Sequence, residues 1–112
     1  MSYYVDVHAH LTHDKLYADV EAIVARARNA GVRSIICNGL DPVSNRQVLE
    51  LAERFDIVQP SLGIYPIDAM AAHITAEEWT YDFPAPDAFD VDDEIDFIAS
   101  HASKLIAVGE IG

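Results

Sequence analysis

Short apolar runs alternate with amphipathic helical segments along the whole chain, and this alternation constrains the fold more than any other feature. Apolar runs of strand length occupy residues 3–8, 32–39, 56–66 and 104–112. Between them, apolar residues recur at helical spacing from Asp14, from Asp41-Pro42 and from Asp90. Strands that alternate with helices favour right-handed crossovers and a parallel sheet. The sequence therefore predicts one α/β domain over residues 1–112, with the element order β-α-β-α-β-α-β.

Each predicted helix carries an apolar stripe that should face the sheet. Asp41 and Pro42 have the residue types of an N-cap and of a first helical position. Residues 67–90 are less regular, because they are rich in proline and in aromatic residues. The three stripes are Leu16, Val20, Ile23, Val24 and Ala27; Val48, Leu51, Ala52 and Phe55; and Ile95, Ile98, Ala99 and Ala102.

Polar side chains follow every predicted strand. Two architectures fit the element order: a small open α/β sheet, or part of a (β/α)₈ barrel. In both architectures functional residues gather at the carboxyl ends of the strands. A site is therefore predicted at this rim, and its members in strand order are His8 and His10, Asn38, Tyr65 and Glu110.

The first strand brings two imidazoles to one face. Residues two apart in a strand share a face, so His8 and His10 can converge on one point. Imidazole is a common ligand of zinc and similar metals, and Glu110 adds a carboxylate that can bridge two cations. The alternative is that both histidines are ordinary hydrogen-bonded residues at a strand end. Asp6 either supports a histidine or bonds a backbone amide.

The chain is strongly acidic, with a formal net charge of −12. A basic surface for nucleic acid is therefore excluded, and chemistry on a polyanion would need bound cations. There is no apolar run of membrane-spanning length and no signal-peptide pattern. The single cysteine, Cys37, fits a reducing cytoplasmic setting.

Three segments resemble the TatD-type metal-dependent hydrolases: "VDVHAHL" at the start, "SLGIYPIDA" after the third strand and "AVGEIG" at the end. "DPVSNRQVLELAERF" is similar to the corresponding family helix. The resemblance implies a (β/α)₈ TIM barrel and hydrolysis of phosphodiester bonds, often those of DNA. It also implies one or two divalent cations, zinc, magnesium or manganese. By motif, His8 and His10 are metal ligands, and Glu110 is a catalytic, metal-bridging ligand.

The sequence departs from the family pattern in two ways. Tyr65 stands where the family usually has a substrate-facing histidine, and its hydroxyl can donate a hydrogen bond to a phosphate oxygen. Together with Asn38, it is predicted to bind substrate. The family's later motifs, which supply further histidines and an aspartate, have no counterpart. The chain is therefore expected to form the first half of a barrel, about four strands, with an incomplete metal shell and open sheet edges that invite self-association.

Other functions fit parts of the pattern. A PHP-type phosphoesterase also begins with a D-x-H-x-H strand, but Leu11 and the "VGEIG" strand favour the TatD type. An amidohydrolase-like enzyme would need a metal-bridging lysine at the fourth strand, where this chain has Glu110. A non-catalytic fragment that binds metal or self-associates is the third alternative.

Overall fold

The fold is a sheet of four parallel strands in a computed structural model that describes residues 2–111. The strands lie side by side in their order along the chain, whereas the order of a doubly wound open sheet reverses at a switch point. With right-handed crossovers, this unreversed order places all the connecting helices on one face. The sheet is thus the first half of a (β/α)₈ barrel. Its strands are β1 (Tyr4–Ala9), β2 (Val32–Asn38), β3 (Val58–Leu62) and β4 (Ala107–Val108).

The helical segments lie largely where the sequence predicts them. The helix expected from Asp14 is divided into two, and residues 67–90 contain one short helix and one 3₁₀ turn before an irregular stretch. Among residues 2–111, none of the helices combines the length and hydropathy that a membrane span requires. The helices are α1 (Asp14–Tyr17), α2 (Val20–Asn29), α3 (Pro42–Arg54), α4 (Pro66–Ala69) and α5 (Val91–Ser100), with 3₁₀ turns at Ala71–His73 and Ala102–Lys104.

The start of α3 is fixed by reciprocal capping, which confirms the expected helix start. The Asp41 carboxylate accepts a hydrogen bond of 2.7 Å from the Ser44 amide, and the Ser44 hydroxyl accepts one of 3.0 Å from the Asp41 amide. Pro42 occupies the first turn, where its missing N–H has no intrahelical partner to lose. This cap anchors α3 directly after β2, beside the rim where the polar residues gather.

The core lies between the sheet and helices α2 and α3. Val48, Leu51 and Leu62 have no solvent exposure, and Val24 packs with them from α2. Burial of such side chains stabilises a fold by roughly 1.5–3 kcal/mol each. The remaining buried apolar residues are Leu11, Val20, Ile35, Cys37, Ile57 and Val58.

Two expectations at the carboxyl-terminal end are wrong. The fourth strand was expected to be buried over 104–112, but β4 has two residues and Val108 is 60% exposed. Gly112 lies outside the described residues. The stripe of α5 was expected to be buried, yet Ile95 is 50% exposed and Ala99 is exposed as well. The reason is that β4 pairs with β3 alone, so within residues 2–111 no element covers its other side.

Candidate metal centre

Two imidazole nitrogens meet at the carboxyl end of β1. His8 and His10 are two residues apart in an extended segment, and their Nε2 atoms lie 3.1 Å from each other. The rings adopt an edge-to-face arrangement with centroids 4.9 Å apart. Asp6 does not contribute to this pair directly, because its carboxylate accepts a hydrogen bond of 3.0 Å from the His8 backbone amide. Of the two roles considered for Asp6, the structure shows the backbone one.

The ring of His10 is oriented by the end of β2. Its Nδ1 lies 3.1 Å from the backbone oxygen of Asn38. A carbonyl oxygen can only accept, so Nδ1 carries the hydrogen and donates it. In this tautomer Nε2 is the nitrogen whose lone pair could bind a metal, and it lies 3.1 Å from Nε2 of His8. Histidine ligands of metals are commonly fixed in this way, by a hydrogen bond from the other ring nitrogen.

Glu110 brings a carboxylate to the same point from the end of β4. Its Oε2 lies 3.3 Å from Nε2 of His8 and 3.2 Å from Nε2 of His10. The backbone of this segment is held by two hydrogen bonds to neighbouring strand ends. Gly109 donates one of 2.9 Å to the Leu62 oxygen, and Glu110 donates one of 3.2 Å to the Gly39 oxygen.

This donor set fits a divalent cation. Three electron-pair donors, two imidazole nitrogens and one carboxylate oxygen, lie within 4.8 Å of one another. With Nε2 unprotonated on both rings, the two imidazoles and the carboxylate would present three lone pairs to one point, and a cation between them would relieve their mutual repulsion. The side chain of Glu110 is 25% exposed and that of His10 is 29% exposed, so the point is partly sheltered but open to solvent.

The other two predicted site residues have different positions. Asn38 is buried, and its amide nitrogen donates a hydrogen bond of 3.3 Å to the Ile36 oxygen within its own strand. Its visible contribution to the centre is the backbone oxygen that orients His10. Tyr65 is 38% exposed and precedes α4, and its backbone amide donates to the Leu40 oxygen at 2.8 Å. Binding of substrate by either residue stays a prediction.

Two ionisable groups outside the three-residue cluster have raised pKa values. Burial raises the pKa of the Asp68 carboxyl in α4, and the negative charge of Asp41 raises it further. Burial likewise raises the pKa of the Cys37 thiol, which has no solvent exposure. Cys37 therefore stays protonated at neutral pH and is unsuited to act as a thiolate ligand.

Sequence reasoning missed a buried polar network behind the centre. Asn45 in α3 has no solvent exposure and lies three residues before the buried Val48, on the same helical stripe. Glu94 in α5 is 3% exposed and accepts hydrogen bonds from both Asn45 and Arg46. The signal was present in the sequence, because an asparagine on an apolar stripe is a polar group that needs internal partners.

Comparison with known proteins matches residues 5–112 to the family described as TatD related DNase. The chain is 27% identical over 107 residues to an uncharacterized metal-dependent hydrolase, YabD, of Bacillus subtilis; the alignment covers 96% of this chain and 36% of YabD. It is 24% identical to human deoxyribonuclease TATDN3, over 96% of this chain and 37% of the human protein.

A bacterial relative is more similar in sequence. The 3'-5' ssDNA/RNA exonuclease TatD of Pectobacterium carotovorum is 31% identical over 108 residues, which cover 96% of this chain and 35% of the exonuclease. The chain therefore spans little more than a third of the length of these relatives. The family match extends through all four strands and includes His8, His10 and Glu110. The chain belongs to the TatD related DNase family.

Proposed function

We propose that the protein acts as a metal-dependent hydrolase of phosphodiester bonds, specifically as a deoxyribonuclease of the TatD type. The observation that carries this proposal is the convergence of His8, His10 and Glu110 at the carboxyl ends of β1 and β4. The names of the relatives support the substrate class, since they include deoxyribonucleases and an exonuclease. The chain would contribute the first half of the barrel and these three groups of its active site.

Each of the three side chains has a distinct task. His8 and His10 would hold a divalent cation through Nε2, and Asn38 would keep the His10 ring in the required tautomer. Glu110 would supply negative charge that retains one cation or bridges two. Such cations polarise a phosphoryl oxygen and provide a nucleophilic water at neutral pH. We assign Glu110 the catalytic role because its carboxylate oxygen lies at the same point as the two imidazole nitrogens that would hold the cation.

Substrate would reach the centre along the rim. An open groove of about 360 Å³ is lined by His10 together with Thr12, Tyr17 and Gln47. Tyr65, at the end of β3, would donate its hydroxyl to a phosphate oxygen, and Asn38 would contribute at the end of β2. Cations are needed for this approach, because the protein carries a net charge of −12 and would otherwise repel DNA.

The metal is proposed to be zinc, magnesium or manganese, and the compartment to be the cytoplasm. Two imidazoles with one carboxylate suit zinc or manganese, whereas oxygen-rich sites suit magnesium. A single buried cysteine, Cys37, suits a reducing compartment.

The alternative functions have less support. Glu110 stands where an amidohydrolase-like enzyme would need lysine, and the family match does not favour a PHP-type phosphoesterase.

An assay of single-stranded DNA cleavage tests the proposal. We expect hydrolysis that stops when EDTA removes divalent cations and returns when manganese, magnesium or zinc is added in excess, because the cations supply the catalytic charge. Amide and lactone substrates serve as controls and should be left intact. Cleavage that persists unchanged in EDTA would contradict the proposal. Metal binding without any cleavage would instead identify a non-catalytic fragment.

We further propose that the 112-residue chain associates with a second copy of itself through its sheet edges. Within residues 2–111, β1 pairs only with β2 and β4 only with β3, so each leaves one row of backbone groups unpaired. Such edges are templates for another strand. An apolar groove of about 450 Å³ adjoins β4 and is lined by Ile95, Ile98 and Val108, which adds surface to bury on association.

A lysine on the edge strand should weaken this association. Val7 lies in β1 and is 69% exposed, so Val7→Lys places a charge at the edge without disturbing the core. Val43→Lys is the matched control, because Val43 is 66% exposed but lies on α3. In sedimentation velocity we expect the wild type and Val43→Lys to associate and Val7→Lys to shift towards monomer. A monomeric wild type, or equal association of all three proteins, would refute edge pairing.

A further inference from the structure

We infer that Asn45 is the positioning residue of Glu110. Asn45 lies in α3 and its side chain contacts neither His8 nor His10, yet its hydrogen bonds and packing fix the two backbone segments that hold Glu110 in place. This inference rests on the proposed function, because it concerns the geometry of the same metal centre. It assigns a task to a buried polar network that the three ligand side chains do not explain.

The Asn45 amide group joins α3 to the end of β3. Its Nδ2 donates a hydrogen bond of 2.9 Å to the Gly63 oxygen, and its Oδ1 accepts one of 3.1 Å from the Gly63 amide. The second hydrogen of Nδ2 goes to Oε2 of Glu94 at 2.8 Å. These three bonds fix which side-chain atom of Asn45 is the oxygen and which is the nitrogen. If the two were exchanged, the oxygen would point at two hydrogen-bond acceptors. The side chain is fully buried, so losing these partners is costly.

Gly63 transmits this constraint to Glu110 by direct packing. A Cβ atom added to Gly63 would lie 2.2 Å from the carbonyl carbon of Gly109 and 2.4 Å from the Glu110 nitrogen. The backbone at Gly63, directly after β3, therefore touches the peptide bond that precedes Glu110, with no space for a side chain between them. A displacement of Gly63 would move that peptide and, with it, the carboxylate.

Gly39 connects the Asn45 side chain to Glu110 in a second way. A Cβ atom on Gly39 would lie 1.9 Å from Oδ1 of Asn45, so the backbone after β2 rests against this amide. The Gly39 oxygen accepts the hydrogen bond from the Glu110 nitrogen at 3.2 Å. Gly39 also follows Asn38, whose oxygen orients His10. One asparagine thus contacts both strand ends between which the Glu110 backbone is held.

The orientation of Asn45 is itself fixed by an ion pair between the buried Glu94 and the half-exposed Arg46. Glu94, 3% exposed, accepts hydrogen bonds of 3.0 and 3.2 Å from Nη1 of Arg46. The Arg46 guanidinium lies 3.8 Å from the centroid of the Phe97 ring. The arginine compensates the charge of Glu94, which would otherwise be costly to bury. Helix α5 is thereby tied to α3 at the level of Asn45.

Removing the Asn45 amide should weaken metal binding through Glu110. Changes to groups that orient metal ligands typically lower affinity by about 10–100-fold. We therefore expect Asn45→Ala in the full chain to lower the affinity for Zn²⁺, measured by calorimetry, by more than about tenfold. It should also alter the visible absorption of bound Co²⁺, and we expect Glu110→Gln to alter it in the same way. Val24→Ala, which creates a buried cavity in α2 away from the centre, is the control for general destabilisation.

A double-mutant cycle separates positioning from simple loss of stability. If Asn45 acts through Glu110, Asn45→Ala should cause less than a threefold further loss of affinity in a Glu110→Gln background. Circular dichroism verifies that each variant is folded, and Asn45→Ser replaces Asn45→Ala in the same comparison if the alanine variant is unfolded. Affinity equal to that of Val24→Ala, or the full loss repeated in the Glu110→Gln background, would overturn the inference. Failure of the metal centre as a whole is detected separately, by unchanged affinity on removal of His8 and His10.

Discussion

Replacing both His8 and His10 with alanine is expected to abolish high-affinity binding of Zn²⁺ or Mn²⁺. The change removes two of the three donor atoms that converge at the rim and leaves one carboxylate, which binds a cation weakly by itself. Since altering a group that only orients a ligand costs about 10–100-fold, loss of two ligands should lower the affinity by more than about 100-fold. Isothermal titration calorimetry measures both the affinity and the stoichiometry.

The matched control removes two histidines elsewhere. His73 is exposed, and His101 is half-buried beside Phe97, so neither belongs to the cluster. We expect His73→Ala combined with His101→Ala to bind metal with the wild-type stoichiometry. Unchanged stoichiometry in the variant without His8 and His10 would mean that the metal binds elsewhere in the chain.

Glu110→Gln should cause the largest loss of hydrolysis for the smallest change in shape. Glutamine has nearly the same volume as glutamate, so we expect the fold to persist. The substitution removes a negative charge that would retain the cations, which in the proposed function would supply activated water and stabilise charge on the phosphoryl group. If the proposed function holds, phosphodiester cleavage should fall by more than about 100-fold, which exceeds the loss caused by changing a group that only orients a ligand.

The control for this charge change is Glu53→Gln, because Glu53 is an exposed glutamate on α3. It alters the net charge equally but lies outside the centre, and we expect wild-type cleavage rates from it. Rates are compared at saturating metal so that weaker binding does not mask the catalytic effect. Wild-type turnover by Glu110→Gln would show that Glu110 has a structural role only.

The local sequence pattern was sufficient to predict the strands and helices of the half-barrel. Strand-length apolar runs and helical stripes depend on neighbouring residues, and so does the Asp41–Pro42 helix start. The His8–His10 pair was predictable for the same reason, since alternation along a strand directs both side chains to one face. The convergence of Glu110 followed from topology, because parallel strands bring their carboxyl ends to one rim.

Features set by distant contacts were harder to predict. The exposure of Ile95 and Val108 depends on what covers β4, which no local pattern encodes. The network around Asn45 and Glu94 joins residues 49 positions apart, so the acidic first turn of α5 gave no indication that one of its carboxylates is buried. The orientation of His10 by the Asn38 backbone oxygen could not be predicted either, because every residue type has this backbone atom.

Anomalous diffraction from crystals of the zinc-loaded protein tests the proposed metal centre most directly. We expect an anomalous peak bound by Nε2 of His8, Nε2 of His10 and a carboxylate oxygen of Glu110, at about 2.0–2.2 Å from each. The same crystals should show Nδ1 of His10 still donating to the Asn38 oxygen. A zinc peak bound by other residues, with these three side chains left free, would contradict the metal centre on which the proposed hydrolase function depends.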